Sequence, residues 1–274
     1  MPGGLGAAMV MEILKTGDCV AAATRKAGRY PVPEAWRENL LTLELDVSDP
    51  DEDRYREAVN LTLARFGRID VLINNAGYGG VTCFEETSEE SLRQMFEVNV
   101  FGLMRVTRAV LPVMRRQRSG HIFNIASGAG YSAGPVPYHT SKFAVTGFST
   151  ALAFEVAPFG IHVTNVAPGL FRTGFYDKGK WRTEPDLHIP DYDPFRWQTE
   201  FVREARCHQQ PGDPVKLARL LVEAAGVSQP PLHLPAGEDA PAVLDSWCAS
   251  IQADTDAWRS RAAETSFDGK SDAF

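Results

Sequence analysis

The chain has 274 residues, 44% of them hydrophobic, and a formal net charge of −7 at pH 7. This suits a soluble globular protein with a substantial core, and the mixed, mildly acidic charge argues against a nucleic-acid partner. No apolar run approaches the ~20 residues of a membrane span and the start lacks a signal-peptide pattern, while four scattered cysteines without a CxxC pair point to a reduced, cytoplasmic setting with no metal centre.

Short apolar runs then alternate with helical periods along the chain. A helix is predicted at about 4–16, followed by strands at Cys19–Thr24 and Leu40–Leu45, with Cys19 expected in a buried strand. A helix at 50–66, a strand at Ile69–Ile73, a helix at 88–117, a strand at His121–Ala126, a helix at 138–157 and a strand at Ile161–Val166 come next. Residues 174–211 read as irregular, with Phe175, Tyr176, Trp181, Tyr192, Phe195, Trp197 and Phe201 set among Pro185, Pro190, Pro194 and Pro211. Such a stretch reads as a lid over an apolar ligand, the alternative being a small subdomain core or a subunit contact. A helix at 213–225, a strand at Pro231–Pro235, a helix at 240–262 and a frayed end complete one domain spanning 1–274. The alternation predicts an α/β fold: a doubly wound parallel sheet with helices on both faces.

Chemistry concentrates in residues 124–142. A strand ends at Ser127, a glycine-rich loop follows, and Tyr138 and Lys142 stand one helical turn apart, on one face. A cation beside a phenol favours the phenolate, and a tyrosine so tuned is a general acid or base near neutrality. Tyr176 and Lys180 have the same spacing, but they lie between glycines with no apolar period and read as loop.

Together these pieces resemble the short-chain dehydrogenase/reductase family over nearly the whole chain. Asn74-Asn75-Ala76-Gly77 after a strand resembles its NNAG motif, and Asn99 in Glu-Val-Asn-Val-Phe-Gly its helix asparagine. Ser127, Tyr138 and Lys142 match its serine and YxxxK, Pro168-Gly169 with Thr173 its PGxxxT, and Asp46-Val47 the pair facing the adenine. The resemblance implies a Rossmann-like fold, a nicotinamide cofactor and a carbonyl/alcohol substrate. It implies that Tyr138 passes the proton, Ser127 steadies the substrate oxygen, Lys142 lowers the tyrosine pKa and Asn99 keeps a relay water. The alternatives are a helix-bend role for Asn99 and a plain strand-ending turn for Asn75-Ala76-Gly77. The implied cofactor contacts are Gly4, Leu5, Gly6, Arg25, Asp46, Val47, Asn75, Ala76, Gly77, Arg108, Tyr138, Lys142, Pro168, Gly169, Phe171 and Thr173. A homodimer or homotetramer through the long helices is also implied.

Cofactor choice rests on Ala23-Thr24-Arg25-Lys26, where a strand ends in cations without an acid. That favours the 2′-phosphate of NADP over NAD, the alternative being two solvated loop charges. Two departures stand out. Gly4 and Gly6 fit the last two glycines of the family's phosphate motif, but its first glycine and first, central strand have no counterpart. Three readings fit: a start upstream of Met1, a degenerate homologue that binds cofactor poorly, or another segment filling the gap. The intact acid–base set favours the first. The loop between Ser127 and Tyr138 is also shorter than is usual in the family, which leaves Ser132 as a reserve for the serine role. A non-catalytic, cofactor-sensing protein on the same fold is the competing function.

Overall fold

The computed structural model describes residues 4–26, 32–177 and 185–267. Its elements, in chain order, are α1 (Leu5–Lys15), β1 (Val20–Thr24), β2 (Leu40–Glu44), α2 (Glu52–Phe66), β3 (Val71–Asn74), α3 (Glu89–Phe96), α4 (Leu103–Gln117) and β4 (Gly120–Ile125). They continue with α5 (Val136–Val156), β5 (Ile161–Pro168), α6 (Asp193–Arg206), α7 (Pro214–Gly226), β6 (His233–Ala236) and α8 (Ala240–Ala263). Local chemistry sets the ends: Asp51 caps α2 by accepting from Asp53 N, and Gly67 closes it at φ 80°. Asp213 caps α7 in the same way, accepting from Val215 N.

All strand pairs are parallel. They form two sheets, β1–β2 and β3–β4–β5–β6. Among the described residues no strand bonds the free edge of β1 or of β3, and Val71 on β3 is 38% exposed. α1 spans the two sheets. Met9 joins Phe123, Ile125 and Val166 of the larger sheet and Leu217 and Leu221 of α7. Val10 and Leu14, on another side of α1, pack with Ala22, Val20 and Leu40 of the smaller sheet. The opposite face of the larger sheet is covered by α4 and α5, where Val110, Met114, Leu152 and Val156 meet Ile122, Ile161 and Val163. Alternate strand residues thus serve opposite layers, as a doubly wound sheet requires.

One row of the larger sheet is polar. Asn74, Asn124, Asn165 and His233 are successive register partners. Asn74 donates to Asn124 Oδ1 (2.8 Å) and Thr107 Oγ1 (2.9 Å), and Asn124 to Ser149 Oγ (2.9 Å). Asn165 donates to Tyr131 Oη (2.7 Å), which meets His233 Nδ1 at 2.6 Å. Buried amides are tolerated because each finds a partner.

Three expectations need correction. Residues 174–211 are not irregular throughout, because α6 lies within them and carries its aromatic residues around one helix. Trp181 and Lys180 fall outside the described residues. The predicted helix 88–117 is broken in pattern: residues Glu97–Gly102 form a π-type segment between α3 and α4. Cys19 precedes β1 and is exposed, since the strand begins one residue later.

Candidate active site

The carboxyl ends of β3, β4 and β5 bring the predicted residues together, as expected of an open parallel sheet. Tyr138 and Lys142 lie on α5, both buried. The Ser127 hydroxyl bonds the Tyr138 phenol, so the short loop does converge. The reason is visible in its path. Residues Gly128–Tyr131 form a tight 3-10 turn, and Gly130 presses on α5, where a Cβ would come within 2.6 Å of Thr146 Oγ1 and 2.9 Å of Lys142 O. Ser127 Oγ also accepts from Ala129 N at 3.1 Å. Ser132 instead donates to Gly128 O at 3.2 Å, within its own loop.

Burial dominates the electrostatics of the pair. Burial pushes the Tyr138 phenol up, against a smaller downward pull from Ser127. Burial also draws Lys142 down from its ordinary range to about 8. The Lys142 ammonium is 5.8 Å from the centre of the Tyr138 ring and donates to Ile125 O at 2.9 Å. The protein by itself therefore holds a neutral phenol beside a lysine that readily gives up its proton. The expected lowering draws on Lys142 together with a positively charged cofactor, and burial sets the level from which it starts.

Asn99 sits in the π-type segment, fully buried. Its Oδ1 accepts from Tyr78 N (3.0 Å), and its Nδ2 donates to Tyr78 O (2.9 Å) and Ser141 Oγ (3.0 Å). Ser141 in turn donates to Tyr138 O at 2.7 Å. The side chain thus ties the Tyr78 turn to α5 through Ser141. The π turn itself answers a close approach: a Cβ on Gly102 would lie 2.4 Å from Val47 O.

The predicted cofactor residues gather at the same end. Gly4 opens α1 at φ 79° beside Thr173, and a Cβ on Gly6 would meet Asn75 Nδ2 at 2.9 Å. A Cβ on Gly77 would meet Asn99 Oδ1 at 3.2 Å and Lys142 Nζ at 3.6 Å. Pro168 and Gly169 end β5, and Asp239 holds that turn by accepting from Leu170 N at 3.0 Å. Asp46 accepts from Ser48 N and Oγ, which holds its carboxyl below the usual range with help from the Arg25 charge. Two predicted residues are placed otherwise. Arg108 is three-quarters exposed and pairs with Glu52 at 3.8 Å, between α4 and α2. Phe171 turns its ring into the core with Met9 and Phe123.

Residues 2–182 match the family model for short chain dehydrogenases. The chain belongs to the short-chain dehydrogenase/reductase family. It is 35% identical over 260 residues to Oxidoreductase BOA17 of Botryotinia fuckeliana, covering 93% of each chain. A 124-residue stretch is 48% identical to the 3-ketodihydrosphingosine reductase of Bacteroides thetaiotaomicron, spanning 44% of this chain and 46% of that one. A short-chain dehydrogenase from Streptomyces avermitilis superposes with a TM-score of 0.85 at 36% identity over 96% of both chains. ElxO with NADP bound does so with a TM-score of 0.72 at 26% identity, over 88% of this chain and 95% of that one. The protein is accordingly an NAD(P)-dependent oxidoreductase.

Around this short-chain dehydrogenase/reductase site lie Phe175 and Tyr176 of the expected lid, with four residues that sequence patterns did not single out. Tyr78, Val81, Met95, Ala129, Phe175 and Tyr176 cluster around Tyr138. Tyr176, set aside in the sequence as half of a loop pair, is thus part of the wall. Its carbonyl accepts from Arg203 Nη1 of α6 at 2.9 Å. Val81 also borders an open cavity of about 510 Å³, lined further by Pro185, His188, Arg196, Trp197, Thr199 and Glu200. Among the described residues no helix is long and apolar enough to cross a membrane.

Proposed function

We propose that the protein is an NADP-dependent oxidoreductase that interconverts a carbonyl and an alcohol on a small to medium apolar or aromatic substrate. The observation that carries it is the Tyr138 hydroxyl, buried, bonded to Ser127 and one turn from the Lys142 ammonium. In this reading Tyr138 gives its proton to the forming alkoxide or takes it from an alcohol, and Ser127 aligns the oxygen by hydrogen bond. Lys142, one turn away, is a proton source to refill the phenol, and its pKa near 8 suits that exchange near neutrality. Asn99 fixes the Tyr78 turn against α5 through Ser141 and so sets the tyrosine's position.

The residues present fit a nicotinamide dinucleotide. Gly4, Gly6 and Gly77 make a floor: Gly4 holds a positive φ of 79°, a side chain on Gly6 would strike Asn75, and one on Gly77 would crowd Asn99. The N-terminus of α1 offers free amides to a pyrophosphate. When bound, the cofactor supplies the hydride and, when oxidised, a positive ring. Arg25, exposed at the end of β1, would face a 2′-phosphate. ElxO, which binds NADP, supports this preference. The aromatic cluster around Tyr138 supports an apolar substrate body. Phe154 on α5 is 86% exposed, which supports a homodimer or homotetramer formed through α4 and α5.

Fluorescence titration tests the reading. NADPH should bind in the micromolar range and more tightly than NADH. Arg25→Asp should weaken NADPH by about 10- to 100-fold, the worth of a charge-assisted phosphate contact, while sparing NADH. Equal loss for both cofactors would remove Arg25 from cofactor choice. Tight binding with no turnover would instead favour a cofactor-sensing protein on the same fold.

A further inference from the structure

The segment between β3 and α3 carries a carboxylate that the proposed chemistry does not use. Glu86 is fully buried. Its main-chain oxygen accepts from Asp186 N (2.9 Å) and Leu187 N (3.2 Å), and its Oε1 from Ile189 N (2.9 Å) and the Arg196 guanidinium. Arg196 is itself nearly buried and also holds Asp193 and the Ile189 carbonyl. Beside it, Ser88 N donates to Asp186 Oδ2 at 2.8 Å, and the Tyr192 hydroxyl to Glu85 Oε2 at 2.8 Å. Chain that is remote in sequence is thereby fastened to the loop that leaves the Asn75–Gly77 turn. The fastened side presents Pro185, His188, Trp197 and Thr199 to the cavity, and the anchoring side presents Val81, which touches the Tyr138 cluster.

A buried ion pair loses most when one partner alone is removed, since the other charge is then stranded out of water. Burial works against the Glu86 charge, but the Ile189 N–H and the Arg196 cation outweigh it and hold the carboxyl below its ordinary range. The Glu86 charge is the buried part of this fastening, and it touches neither the cofactor floor nor Tyr138.

We propose that Glu86 is a positioning residue for the substrate: paired with Arg196, it latches residues 186–206 over the cavity, and so governs substrate affinity but not cofactor affinity or the chemical step. The substrate part of this rests on the proposed oxidoreductase reading; the latch does not. Glu86→Gln keeps the shape and removes the buried charge, Arg196→Gln leaves Glu86 and Asp193 without their shared cation, and the double variant restores the net charge of the cluster. In hydrogen exchange of the full chain, each single variant should speed exchange over 186–206 by roughly tenfold or more while leaving α5 unchanged, and the double variant should recover part of the protection. NADPH affinity should stay within about twofold. With NADPH and 2-acetylnaphthalene, KM should rise about fivefold or more at a kcat within about twofold. Wild-type exchange in both single variants, equal acceleration in α5, or a fall in kcat at constant KM would each overturn the proposal. If the wild type neither binds NADPH nor reduces the ketone, the catalytic reading fails and the exchange pattern alone decides the latch.

Discussion

Lys142 titrates near 8 in the folded chain because burial disfavours its charge. In the unfolded chain a lysine titrates near 10.4. Between those values the unfolded state holds a proton that the folded state has released, so unfolding free energy rises with pH across that window. The full rise is on the order of 3 kcal/mol. Below the window the penalty of burying the charge is fully present. Lys142→Met should therefore flatten the rise seen between urea melts at about pH 7.5 and 9.5, while the wild type keeps it. Identical slopes in both proteins would show that Lys142 is not desolvated. Tyr138 and Lys142 were legible in the sequence because their spacing and the strand before them survive without tertiary information. The direction of the Tyr138 shift was not, because it depends on how completely Tyr176, Phe175 and Met95 close over the phenol. Arg108 shows the opposite error: its position on α4 was legible, but its direction, towards Glu52, was not.

At the scale of elements, the asparagine row sets a condition on the sheet. Asn124 accepts from Asn74 and donates to Ser149, so Asn124→Leu strands polar groups on β3 and α5 at once. The expected loss is about 2–4 kcal/mol, since unsatisfied buried groups lose more than a made hydrogen bond contributes. Urea unfolding followed by circular dichroism measures it, and a loss under about 1 kcal/mol would mean that the row relaxes onto other partners. Strand and helix positions were read closely from periodicity, because apolar period depends mainly on local burial. The π segment at Glu97–Gly102 was not, because it packs through Gly102 against Val47, more than fifty residues away in the chain. α6 was missed for a related reason: its prolines and aromatics suggested loop, but Pro194 lies in the first turn, where proline is tolerated.

At the scale of the molecule, α1 joins what the sheets leave apart. Leu14 is 1% exposed and packs under β1 and β2, while Met9 packs over the larger sheet. Leu14→Ala should destabilise by about 2–5 kcal/mol and speed hydrogen exchange in β1 and β2 before β4 and β5. Uniform acceleration would show that the two sheets unfold as one. This junction carries function, because α1 also supplies Gly4 and Gly6 to the floor on which the proposed cofactor would lie. The central claim is that this site moves a hydride with Tyr138 as its acid or base. It is tested most directly by following deuterium from 4-deuterated NADPH into a ketone, with wild type and Tyr138→Phe side by side. The account predicts transfer by the wild type, a loss of about 100-fold or more in the variant, and NADPH affinity unchanged between the two. Transfer by the variant at the wild-type rate would contradict it.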